Sequence, residues 1–170
     1  MNIYLYIEIA ARELDSKLLL ATLAVNRGHS VVLSDMSGII EGIKKKTLSP
    51  GIFHDKSLTP NKDKISSHEI IIKNGFIVSS IDEENNLINY GYEEFAKNRY
   101  SEQTLSNATT IFGWGLDDVE TLKRIYPNHA SKIHMTGSPR IDLLKPNFAE
   151  FWGSSSVSAK FKKPYLLVAS

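Results

Sequence analysis

The chain has 170 residues, 42% of them hydrophobic and 23% charged, the proportions of one globular domain with an ordinary core. Twenty basic residues against 19 acidic ones leave a net charge of +1, so the chain lacks the basic footprint expected of a nucleic-acid binder. Cysteine is absent, which excludes disulfides and thiolate metal sites; the five histidines show no i, i+4 pair, and neither a metal nor a cofactor is expected.

Ile3 to Ile9 is apolar on both parities, as in a strand buried on both faces. The segment lacks a basic lead and Glu8 interrupts it, unlike a signal peptide, and no later apolar run is long enough for a membrane helix. A soluble, cytoplasmic chain is the expectation. A helix is predicted from Arg12 to Arg27, with Leu14, Leu18, Ala21 and Val25 as its inward stripe and Gly28 as the residue that ends it. Ser30 to Leu33 follows as the second strand, completing a βαβ unit.

The alternation continues. Ser37 to Lys46 reads as a short helix and Gly51 to His54 as a strand. Thr59 and Pro60 suit the N-cap and first position of a helix that runs to Lys73, before Asn74-Gly75 and a strand from Phe76 to Ile81. Asn85 to Ser106 is a polar, tyrosine-bearing insertion with helical turns. Thr109 to Phe112 is the next strand. Its helix should turn Leu116, Val119 and Leu122 inward, with Asp117, Asp118 and Glu120 early and Lys123 and Arg124 late, as the helix dipole favours. Lys132 to Met135 is the last strand of the domain. This pattern predicts an α/β fold over residues 1–150: a doubly wound, mostly parallel sheet with helices on both faces. Residues 151–163 read as a linker, and 164–170 as the first strand of a truncated second domain.

In open α/β sheets ligands bind beyond the carboxyl ends of the strands. Those ends deliver Glu8 with Arg12 and Glu13, then His54-Asp55-Lys56-Ser57, Asp82-Glu83-Glu84, Trp114, and Thr136-Gly137-Ser138-Pro139-Arg140. Adjacent carboxylates raise one another's pKa, so Asp82 or Glu83 can serve as a general base; a solvated acidic loop is the plainer reading. Glu8 closes an apolar strand and must be paired, with Arg12 or Lys17, or face a cleft. Lys56 with Ser57, and the fork of Arg140, suit a phosphate or an acidic sugar, although a structural ion pair would use Arg140 equally well. Trp114 can stack on a sugar or simply fill the rim. The Gly113-Trp114-Gly115 turn is not a phosphate loop, because the glycine fingerprint is absent and Asp117 and Asp118 occupy the positive end of the helix. Ser138 and Pro139 start a helix whose free amides can hold an oxyanion. The candidate catalytic residues are thus Asp82, Glu83 and Glu8, and the candidate substrate contacts Arg12, Lys56, Ser57, Trp114, Ser138 and Arg140.

The run from Glu8 to Ala21, His54-Asp55-Lys56-Ser57, the Asp82-Glu83-Glu84 loop, Phe112 to Gly115 and Thr136 to Leu144 together resemble the bacterial surface carbohydrate biosynthesis family. That resemblance implies a GT-B glycosyltransferase-like protein with two Rossmann-like domains, this chain being the N-terminal, acceptor-side half. It implies a nucleotide sugar and a glycan or lipid-linked acceptor as partners, no nucleic acid, and peripheral membrane association of the full-length protein. The Thr-Gly-x-Pro-Arg-x-Asp element also occurs in sugar-nucleotide 2-epimerases. An epimerase-like enzyme is therefore an alternative, as is an inert sugar- or nucleotide-binding module or gene remnant.

Overall fold

The computed structural model describes residues 1–85 and 91–152. Six strands, β1 (Asn2–Tyr6), β2 (Ser30–Ser34), β3 (Ile52–Asp55), β4 (Ile77–Ile81), β5 (Ala108–Gly113) and β6 (Ile133–Met135), form one sheet. Every pairing is parallel and the spatial order is β2-β1-β3-β4-β5-β6. Helices α1 (Ala10–Val25), α2 (Met36–Lys44), α3 (Lys62–Lys73) and α6 (Leu116–Ile125) connect the strands. The polar insertion supplies α4 (Tyr92–Arg99) and α5 (Glu102–Asn107), and a short α7 (Pro139–Asp142) follows β6. Among the described residues no helix is long and apolar enough to cross a membrane.

The connection β1–β2 runs one way along the sheet and all later ones run the other. Right-handed crossovers therefore put α1 on one face and α2 to α6 on the opposite face. The fold is the expected doubly wound, Rossmann-like one. Beneath α2 to α6, Tyr4, Tyr6, Phe53, Val78, Ile111 and Ile133 from the strands pack with Ile39, Ile43, Ile71, Leu105, Val119 and Leu122. Gly28 and Gly75 take φ of +81° and +84° after α1 and α3, the left-handed turn that glycine adopts without a Cβ penalty.

Three local expectations are corrected. In α1 only Ala21 of the predicted stripe is buried; Leu14, Leu18 and Val25 are 37%, 40% and 55% exposed, and Glu13, Ser16 and Lys17 face the sheet instead. The rotation of this helix is set by ion-pair partners distant in sequence, described below. The N-cap of α3 is Asn61, whose Oδ1 accepts from the Lys64 amide at 2.8 Å, so Pro60 precedes the helix. Leu116, the first residue of α6, is 56% exposed, and only Val119 and Leu122 of the three expected residues are buried. Phe151 and Trp152 belong to a 3-10 turn, Pro146–Trp152; the rest of the expected linker and the strand at 164–170 lie outside the described residues.

Candidate functional site

The direction of winding reverses between β1 and β3, and the carboxyl ends of these strands open a crevice there. An ion-pair network fills the rim around it. Arg12 meets Glu13 at 2.9 Å, Glu84 at 3.2 Å and Glu8 at 3.7 Å. Lys56 bonds to Glu8 and approaches Glu13 at 3.7 Å. Arg99 grips Asp82 with two bonds of 2.8 Å and Glu84 with one of 3.1 Å. Lys17 and Glu83 form a fully buried pair at 2.6 Å.

Local sequence explains much of this. Ile9 offers α1 no capping side chain, so Glu13 turns back and accepts the amides of Glu8 at 2.8 Å and Ile9 at 3.4 Å. Burial alone would push the Glu13 carboxyl up, but those amides, Arg12 and Lys56 outweigh it and hold the group below the ordinary range. Lys64 and His68, one turn apart on α3, both reach the buried Asp55, at 2.7 and 2.8 Å. They more than offset the effect of its burial, and its pKa is lowered. On the α1 face, His54 bonds to Ser79 at 3.0 Å through Nδ1, and burial, then Lys17, lower its pKa to about 3, so the ring is neutral.

Two clefts flank the network. The larger, about 730 Å³, lies between the start of α1, the Asp82–Asn85 loop, α4 and α7; Arg12, Glu84, Arg99, Trp114, Arg140 and Trp152 are among its walls. Arg12 Nε and Trp114 Nε1 are buried without a partner among the described residues. The smaller, about 380 Å³, sits at the β1–β3 crevice, and Glu84 and Arg99 line both.

All nine sequence candidates lie along this rim, and Glu8, Arg12, Asp82 and Arg140 converge. Asp82 and Glu83 are nonetheless held, by Arg99 and Lys17, while Glu8 and Glu84 keep 47% and 36% of their side chains exposed. Lys17 is the partner of Glu83, not of Glu8, which pairs with Arg12 and Lys56. Ser57 is buried, its amide 3.4 Å from Asp55 Oδ1. Ser138 precedes Pro139 of α7, but its hydroxyl makes no capping bond and is buried without a partner among the described residues. Among the described residues, the one hydrogen bond of Arg140 goes to the Glu83 carbonyl, at 3.4 Å. At the start of α6, Asp118 accepts the amides of Trp114 and Gly115, both at 2.9 Å, so that helix end is already satisfied from within.

Sequence reasoning missed Arg99, Glu84 as distinct from its neighbours, Lys64 and Trp152. The i, i+4 pair Lys64 and His68 was a legible signal; Arg99, across a polar insertion, gave none. Comparison of the chain with family models, curated proteins and solved structures gives no match.

Proposed function

We propose that this chain is the acceptor-side half of a GT-B glycosyltransferase-like protein that builds bacterial surface polysaccharide, using a nucleotide sugar and a glycan or lipid-linked acceptor. One observation carries the reading: the larger cleft combines two tryptophans with a network of arginines and carboxylates at the strand ends. Indole rings suit the C–H faces of a sugar, and forked charged groups suit its vicinal hydroxyls. Arg140, without a carboxylate partner among the described residues, is assigned to an anionic group of the ligand. Glu84 is assigned to the hydroxyl that attacks the donor, because it lines the larger cleft with 36% of its side chain exposed, whereas Asp82 and Glu83 are buried against Arg99 and Lys17. On this reading those two carboxylates position the loop that carries Glu84.

Transfer needs both walls of an interdomain cleft to align donor and acceptor and to exclude water. Residues 1–170 alone are therefore expected to bind without turnover. The test is incubation with nucleotide sugars and acceptor glycans, with mass spectrometry of the glycans and assay of released nucleotide. Sugar transfer by residues 1–170 alone would contradict the half-site reading, and epimerised nucleotide sugar without nucleotide release would replace transfer with epimerisation.

A further inference from the structure

We infer that the smaller cleft, at the β1–β3 crevice, is a second ligand site built for a neutral, polyhydroxylated group and not for a phosphate or carboxylate. Tyr6 and Glu8 from the end of β1 form one wall. Lys56, Ser57 and Thr59 beyond β3 form the next, and Lys64 and Ser67 of α3 a third. Its volume of about 380 Å³ falls in the range of small-molecule sites, roughly 300–1,000 Å³.

Lysines, an arginine and hydroxyls around a crossover crevice suggest an anion at first sight. The pairing excludes it. Lys64 already holds both oxygens of Asp55, at 2.7 and 2.8 Å, and Arg99 both oxygens of Asp82, at 2.8 Å each. Lys56 is held by Glu8 and Glu13. Asp55 and Asp82 are buried, so an anion that captured Lys64 or Arg99 would strand a carboxylate away from water, and its desolvation would go uncompensated. Around the cleft, Glu8, Glu13, Asp55, Asp63, Asp82 and Glu84 outnumber Lys56, Lys64, Arg12 and Arg99, even with His68 protonated.

What the cleft offers instead is alternation. Glu8 and Glu84 present partly exposed acceptor oxygens, the ammonium groups donate, and the hydroxyls of Ser57, Thr59 and Ser67 do both. A ring of vicinal hydroxyls, each donating one hydrogen bond and accepting others, satisfies such a wall without displacing any ion pair. Under the glycosyltransferase-like reading this cleft holds a further sugar of the acceptor, next to the one in the larger cleft across Glu84 and Arg99. That role rests on the reading; the choice of a neutral polyol over an anion does not.

The test is amide-shift mapping of the full 170-residue chain by NMR with three probes: methyl β-glucoside, inorganic phosphate and methylamine. Methyl β-glucoside is expected to shift the Ser57, Thr59 and Ser67 amides saturably, and phosphate and methylamine to leave them unmoved. Ser67→Trp, which fills the cleft, should weaken that response at least tenfold, and Thr59→Tyr should repeat the loss if Ser67→Trp does not fold. Trp114→Ala, in the other cleft, should change it less than twofold. Phosphate or methylamine shifting these amides in place of the glucoside would overturn the inference. So would a glucoside response that survives both cleft-filling variants. A glucoside response here, in a chain that epimerises nucleotide sugars without releasing nucleotide, would replace the transferase reading and leave this site standing.

Discussion

On one face of the sheet Tyr4, Tyr6, Phe53 and Val78 meet isoleucines of α2 and α3 and Leu105 of α5, whereas on the other Leu5, His54 and Ser79 lie beneath a helix that turns Glu13, Ser16 and Lys17 inward. The first face is stabilised by removing apolar area from water, at roughly 25 cal/mol per Å². The second buries charges, whose desolvation offsets most of what their pairing returns. The ionic layer ends at the carboxyl rim, where Glu83, Arg12 and Glu13 anchor the two clefts, so its residues are explained by what they position.

The largest effects should separate the two faces by rescue. Phe53→Ala should cost about 3–5 kcal/mol in urea unfolding, through a cavity that no second substitution at the rim repairs. Lys17→Met should cost a similar ~3–5 kcal/mol by leaving Glu83 buried and unpaired, and Glu83→Leu added to it should recover most of the loss. If the double variant is no better than Lys17→Met, the pair is not the reason for the loss.

Acid should act through the ionic face. The folded-state pKa of His54 is lowered, to about 3, so the unfolded chain takes up its proton first and stability falls as pH drops below the unfolded value of about 6.5. The slope is about 1.4 kcal/mol per pH unit, or about 2 kcal/mol between pH 7 and pH 5. Glu13 and Asp55, whose pKa values are depressed, add a further loss as pH falls through and below the ordinary carboxylate range. His54→Gln should flatten the profile between pH 7 and 5 and leave the steeper loss at lower pH. An unchanged slope in that variant would remove His54 as its source.

The smallest effect belongs to the outer side of α1. Leu18→Gln should alter stability by no more than about 0.5 kcal/mol, since Leu18 is 40% exposed. A loss of 2 kcal/mol or more would mean that the predicted stripe, and not the ionic one, meets the core.

The orientation of α1 marks where sequence reading stops. Leu14, Leu18, Ala21 and Val25 satisfy helical periodicity, but so do Glu13, Lys17 and Ala21. The choice between them rests on Glu83, 66 residues from Lys17. Strand and helix alternation was legible because each period is local, and the strand-end rule brought Glu8, Arg12, Asp82 and Arg140 to one rim because parallel strands share a direction. Arg99 was invisible for the opposite reason: its role depends on how an irregular insertion folds back over Asp82 and Glu84. Thr59 and Asn61 are both good N-caps, and sequence alone does not choose between them.

The most direct measurement uses the chain's only two tryptophans, Trp114 and Trp152, both of which line the larger cleft. Tryptophan fluorescence, excited selectively over the tyrosines, therefore reports on that cleft. Titration with a panel of nucleotide sugars and acceptor glycosides should give a saturable change with at least one of them, weakened tenfold or more by Arg140→Ala. No response from any member of the panel, or a response that Arg140→Ala leaves intact, would contradict the assignment of the carboxyl rim as the ligand site.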